Sequence, residues 1–381
     1  MRVFVVAGEA SGDKLGAAML AGLRKLAGDV EFQGIGGERM IAQGLNSLFP
    51  MDEISIMGIT EILSQYTHLK RRIRQTADAV LEAKPDVLIT IDLPEFSLRV
   101  AKLVKARSDI RTVHYVAPTV WAWRAGRAKK MAAHIDQVLA LLPFEPPYME
   151  AAGMRCDFVG HPVVTDPVAT EAEIAAFKNV FEVSDAPLAL VLPGSRRSEV
   201  SRLLPIFEKV LAQAHAAQPN LRFVLPAAPN VLPMITDAVS GWSTHVNVLD
   251  PTIADAPALK RGAFAAADVA LAASGTVSLE LAASGTPMVI AYDMNWLSRQ
   301  IIGRMLKVDT VTLVNLVSET RVVPEFIGAN CVPERITPTL LETLENPDAQ
   351  KQAMGLTMTR LGRGGPPPGE RAAQAVLDGL A

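Results

Sequence analysis

A dozen short apolar runs, each followed by a polar or helix-patterned stretch, constrain this chain more than any other feature. The first 165 residues contain "RVFVVAG", "EFQGIGG", "DVLITID", "RTVHYVAP", "QVLALLPF" and "DFVGHPVV". After the polar stretch "TDPVATEAEIAAFKNVFEVSDAP" the cycle restarts with "LALVLPGS", "LRFVLPAA", "HVNVLD", "DVALAASG", "PMVIAYD" and "DTVTLVNL". Runs that are nearly all apolar suit strands covered on both faces, and the helical patterns between them supply the crossovers of a parallel sheet. The pattern predicts an α/β protein of two doubly wound, Rossmann-like domains, residues 1–165 and 166–381. They are expected to face one another across a cleft at the C-terminal ends of their strands, with Pro162 to Pro167 as hinge.

Length agrees with two domains, since 381 residues exceed the roughly 100–200 of a single one. Near the end, "GRGGPPPGE" cannot be regular helix, but the stretch after it can. A short helix over residues 370–381 is expected to pack on the other domain or on a partner subunit. Basic and acidic residues number 37 and 40, a net charge of -3, so no whole-protein field attracts nucleic acid. Cys156 and Cys331 form neither a disulfide framework nor a CxxC metal spacing and read as buried thiols of a reducing compartment. The apolar stretch "VFVVAG" is too short for a signal peptide, and no run reaches the roughly 18 apolar residues of a spanning helix. The expected location is cytoplasmic, with membrane contact only at a surface.

The strand-to-turn junctions carry the chemistry. "LPGSRRSEVSRLLP" ends a strand on Pro193 and Gly194 and opens a helix through Ser195, Arg196, Arg197 and Ser198, where free N–H groups and a guanidinium can converge on a phosphate. A capped helix with surface arginines is the alternative. In "LAASGTVSLELAASGTP", Ser274, Gly275 and Thr276 make a second such turn, and Glu280 lies one helical turn deeper, where a carboxylate can accept from two ribose hydroxyls. "ITIDLPEF" places Asp92 at the end of a buried strand, as a general base or as a helix cap. Trp121, Trp123 and Arg124 in "HYVAPTVWAWRAGR" suit sugar stacking or an anionic headgroup, with core packing of one tryptophan as the alternative. His161 in "VGHPV" reads equally as structural or catalytic. No DxD pair, HExxH motif or histidine cluster suggests a metal, and no cofactor is expected. Residues 54–74 are the membrane candidate: Ile54, Met57, Ile59, Ile62 and Leu63 precede Lys70, Arg71, Arg72 and Arg74. An ordinary helix with a solvated basic end reads equally well.

Taken together, "AGEASGD", "GIGGERM", "IMGITEIL", "PDVLITIDLPEF", "HYVAPTVWAWR", "LPFEPPYM", "FVGHP", "LPGSRRSEV", "ASGTVSLE" and "GTPMVIAY" resemble the bacterial lipid-A-disaccharide synthases, inverting glycosyltransferases of the two-Rossmann GT-B type. The resemblance implies transfer of 2,3-diacylglucosamine from UDP onto 2,3-diacylglucosamine 1-phosphate (lipid X), in lipid A and lipopolysaccharide biosynthesis. It implies an essential Asp92 and Arg196, a ribose-binding Glu280 and a nucleotide-side Asn315. Glu9, Ser11 and Asp13 then face the sugars, because carboxylates repel a phosphate but accept from hydroxyls. It also implies a peripheral protein of the inner membrane and a homodimer exchanging C-terminal segments. The chain departs from the family in "GSRR", where members read GSRG, and in "VNLVSETR", where they read PNLLAGR. A UDP-sugar 2-epimerase, with the same two-sheet clamp but no second sugar, is the rival enzyme, and a non-catalytic solute-binding protein the rival from another class.

Overall fold

The computed structural model describes residues 1–55, 66–121, 126–183, 186–294 and 308–381. Two α/β units emerge: Met1–Thr165 together with Leu361–Ala381, and Asp166–Arg360. The first holds seven parallel strands, β1 (Arg2–Ala7), β2 (Glu31–Ile35), β3 (Asn46–Ser47), β4 (Val87–Ile91), β5 (Arg111–Tyr115), β6 (Gln137–Ala140) and β7 (Arg155–Phe158). They lie in the order β3-β2-β1-β4-β5-β6-β7. The chain winds outward from β1, then returns to build the other side from β4, so the order reverses between these two strands.

Successive β1 side chains serve opposite faces. Val3, Val5 and Ala7 pack with Met19, Leu20 and Leu23 of the helix Ala10–Ala27, while Phe4 and Val6 pack with Ile73, Val80 and Val100 from two helices on the other side. Both faces are covered from Val3 to Ala7, which is why that stretch reads as uninterrupted apolar sequence, while Arg2 at the strand's start is exposed.

The terminal helix Pro368–Leu380 belongs to this first unit and lies against Ala10–Ala27. Small residues permit close approach: a Cβ on Gly22 would meet the Gly369 carbonyl at 2.9 Å, and one on Gly369 would meet the Ala18 carbonyl at 2.6 Å. Polar ties secure its flank, with Gln137 Nε2 donating to the Ala375 carbonyl at 2.8 Å and Arg155 Nη1 to that of Asp378 at 2.9 Å.

The second unit holds β8 (Leu188–Leu192), β9 (Arg222–Pro226), β10 (Asn247–Leu249), β11 (Val269–Ala272), β12 (Met288–Tyr292) and β13 (Glu325–Ile327), in the order β10-β9-β8-β11-β12-β13. Here the order reverses between β8 and β11. Val200, Leu203, Phe207 and Leu211 of the helix Arg197–Ala217 pack on Val191, Leu225 and Leu271, each full burial contributing about 1.5–3 kcal/mol.

One expected strand is wrong. "DTVTLVNL" is a loop leading into the helix Leu313–Ser318, and the edge strand is β13 instead. Thr310 and Thr312 favour a strand locally, but the Glu325 carboxylate accepts from Thr310 Oγ1 at 2.8 Å and from the Val311 N–H at 3.1 Å. That long-range cap overrides β-branched propensity.

Candidate active site

At the C-terminal edge of the first sheet, register places two acidic residues side by side. Ala7 pairs with Ile91, so the turn containing Gly8 and Glu9 adjoins the one containing Asp92. Asp92 and Leu93 both have left-handed backbone, with φ of 49° and 47°. Neither is glycine, so the turn costs about 1–2 kcal/mol per residue, and such strain gathers at functional sites. It is held from both ends, by the Asp92 N–H donating to the Tyr115 carbonyl at 2.9 Å and by Ser97 Oγ donating to the Asp92 carbonyl at 2.8 Å. Gly8 makes room, since a Cβ there would strike Leu93 Cδ2 at 2.3 Å. The Asp92 side chain is half-buried, Glu9 is half-buried and Ser11 is exposed.

The second sheet repeats the device. Leu192 pairs with Ala272, which brings the turn Pro193–Arg196 beside Ser274–Thr276 at that sheet's order reversal, the place where open α/β sheets take ligands. Gly194 and Gly275 have φ of 104° and 143°, conformations that free N–H groups from the strand. Arg196 caps the long helix with its guanidinium largely exposed, and Nη1 donates to Glu199 at 3.0 Å. Glu280 lies one turn inside the helix Val277–Ser284, its N–H donating to the Thr276 carbonyl, and its carboxylate pairs with Lys260 Nζ at 2.9 Å. An exposed pair of this kind contributes under about 1 kcal/mol, so the carboxylate can exchange the lysine for another donor. Among the described residues no group of three or more His, Cys, Asp or Glu side chains could hold a metal.

Comparison with known proteins bears on the chain as a whole. A family model described as lipid-A-disaccharide synthetase matches residues 3–376. The lipid-A-disaccharide synthase of Ruegeria pomeroyi is 62% identical over 383 aligned residues, covering 100% of this chain and 96% of that one. The chain belongs to the lipid-A-disaccharide synthase family. It is a glycosyltransferase of lipid A biosynthesis. The synthase of Rhodospirillum centenum is 45% identical over 99% of this chain and 94% of its own. Among solved structures, UDP-GlcNAc 2-epimerase from Neisseria meningitidis bound to UDP-GlcNAc superposes with a TM-score of 0.62 over 100% of this chain and 99% of that one, at 13% identity. That likeness shows a shared two-unit α/β fold and nothing of the reaction.

Several expected site residues have other work in the enzyme. Asp13 is 5% exposed, and its carboxylate accepts from the N–H groups of Gly37, Arg39 and Met40 at 2.8, 3.0 and 3.1 Å. It caps the helix Glu38–Ala42 rather than turning to a sugar. Asp13→Ala should therefore lower stability by about 2 kcal/mol, read as a lower thermal midpoint with UDP affinity unchanged. Asn315 is 1% exposed and exchanges two hydrogen bonds with the Val323 backbone, at 2.9 and 3.0 Å, and its Nδ2 also donates to Thr310. Its amide orders the loop before β13 and is not presented to a nucleotide. Trp121 is a core residue, 7% exposed and edge-on to Phe144 with centroids 5.1 Å apart. Trp123 and Arg124 lie outside the described residues. His161 Nδ1 accepts from the Val163 N–H at 3.2 Å, which fixes the ring in the turn after β7.

The membrane candidate divides. Ile54 is 2% exposed and packs with Phe4 and Val6, so it belongs to the core and not to a lipid-facing stripe. Met57, Ile59, Ile62 and Leu63 lie outside the described residues. Lys70, Arg71 and Arg74 are exposed on the helix Tyr66–Ala83, while Arg72 is held by Glu53 and lies over the Phe49 ring, 4.3 Å from its centroid. No helix among the described residues is long and apolar enough to cross a membrane.

Sequence reasoning missed Glu199 and Lys260. Glu199 lay inside a quoted motif, and its place three residues after a helix cap was the available signal. Lys260 reaches Glu280 from another helix, and no local pattern announces it.

Proposed function

We propose that the enzyme moves 2,3-diacylglucosamine from its UDP derivative to the 6-hydroxyl of 2,3-diacylglucosamine 1-phosphate, forming the β-1′,6-linked disaccharide 1-phosphate and UDP. The observation that carries this reading is the family match running from residue 3 to residue 376, across both switch-point turns. Asp92 takes the proton of the acceptor hydroxyl as its oxygen attacks C1 of the donor. The C1–O bond to the diphosphate breaks with inversion, and the leaving UDP departs with the electron pair. Arg196 and the N–H groups of the two glycine turns stabilise that charge, and Glu280 accepts from the ribose. Glu9 and Ser11 accept from sugar hydroxyls on the Asp92 side. The exposed cations Lys70, Arg71 and Arg74 suit the anionic surface of the inner membrane, at about 1 kcal/mol each, which fits a cytoplasmic, peripheral enzyme acting on acylated substrates. A homodimer that exchanges C-terminal segments would present the same Gly369 face to Gly22 of a second chain.

UDP release measured with donor alone and with donor plus acceptor tests the reaction. Release should require both, and sugar interconversion with donor alone would replace this reading with the epimerase. Arg196→Ala removes a charge-assisted contact of about 1.5–3 kcal/mol and should weaken UDP binding roughly 10- to 100-fold by calorimetry.

A further inference from the structure

An arginine at the tip of a turn loses rotamer freedom when it is ordered. The Arg196 side chain is 72% exposed, so packing cannot supply that order. Glu199 can. Its side chain is 14% exposed and its carboxylate accepts from Arg196 Nη1 at 3.0 Å, while the Glu199 N–H donates to the Arg196 carbonyl at 2.9 Å.

The carboxylate has close surroundings on two other sides. A Cβ on Gly194, in the turn below, would stand 2.8 Å from Glu199 Oε2, so the glycine leaves the space the carboxylate occupies. Tyr292, at the end of β12, lies near enough for the Glu199 charge to act on its phenol. Burial and then the Glu199 charge raise the phenol's pKa, against the opposing influence of Arg196 and Arg202. Three elements thus converge on one half-hidden carboxylate whose charged partner points outward.

We infer that Glu199 is a positioning residue for the leaving diphosphate: it grips one edge of the Arg196 guanidinium, so that the remaining donors meet the phosphates already oriented. A guanidinium has five N–H donors, and surrendering one leaves a fork sufficient for a bidentate contact. Pre-orientation removes part of the ordering cost at the moment of binding. The inference rests on Arg196 being a diphosphate ligand.

UDP affinity and donor KM are measured for Glu199→Ala and Glu199→Gln, each in the native and the Arg196→Ala background. Glu199→Ala should weaken UDP about tenfold, whereas Glu199→Gln, whose amide oxygen still accepts from Nη1, should stay within about threefold of the native protein. In the Arg196→Ala background neither change should cost anything further. A partly unfolded variant would lower the calorimetric stoichiometry and leave the affinity unchanged, which separates folding from positioning. Native affinity in Glu199→Ala, or an equal loss in both backgrounds, would overturn the inference. Native affinity in Arg196→Ala alone would instead overturn the diphosphate role of the arginine.

Discussion

Asp92→Asn is expected to leave a folded, UDP-binding protein whose turnover is lower by about 10²–10⁴, or roughly 3–5 kcal/mol in the barrier. Asparagine is the informative replacement because of the backbone. At a φ of 49° an alanine would add strain of its own, whereas asparagine tolerates the left-handed region. The bonds that hold the turn use main-chain atoms, the Asp92 N–H to Tyr115 and the Asp92 carbonyl to Ser97, so they survive the change. The variant therefore removes the basic oxygen and little else. Single-turnover rate, UDP affinity and thermal midpoint are read on the same preparation. A rate within about threefold of the native enzyme would remove Asp92 as the base.

The β-α alternation was legible because strands buried on both faces are largely apolar, with the few buried polar positions such as Thr90 and His114 hydrogen-bonded to one another. Twelve runs were read as strands, and eleven of them contribute one. The exception, at Thr310 to Asn315, fails because its conformation is decided by a carboxylate ten or more residues away. The two-residue β3 and the three-residue β13 escaped notice because neither has a buried apolar face.

The turns of the candidate site were legible where backbone geometry demanded particular residues, at Gly194, Gly275 and the strand end before Asp92. It was illegible where a polar side chain can serve either a ligand or the chain itself. Asp13 and Asn315 look like ligand groups in one dimension, yet each satisfies main-chain groups brought near only by folding. A buried polar residue that pairs with distant backbone is indistinguishable by sequence from one that pairs with substrate, since both need the same donors and acceptors.

The second large effect is expected at Glu145, in the turn between β6 and the helix Pro146–Glu150. Its side chain is 3% exposed, and Oε2 accepts from the Leu142 N–H at 3.0 Å. The buried Trp121 N–H has no partner in regular hydrogen-bond geometry, yet it lies close enough to favour the carboxylate. Burial outweighs these donors and raises the pKa to about 7. The same burial, reinforced by Glu145, Asp157 and Glu150, pushes the neighbouring Cys156 thiol up to about 12, so the cysteine stays neutral.

A carboxyl raised from about 4.5 to about 7 favours the folded state in its neutral form. That contribution is complete below about pH 4.5 and is lost as pH rises through about 7, for a total near 3 kcal/mol. Glu145→Gln keeps an oxygen for the Leu142 N–H and has no charge to bury. At pH 8 it should melt roughly 6–12 °C above the native protein, with the gap closing towards pH 4.5. Every other titrating group is common to both proteins and cancels in the difference. A gap of constant size across that range would show that ionisation of the carboxyl does not set it, and that burial does not raise the Glu145 pKa.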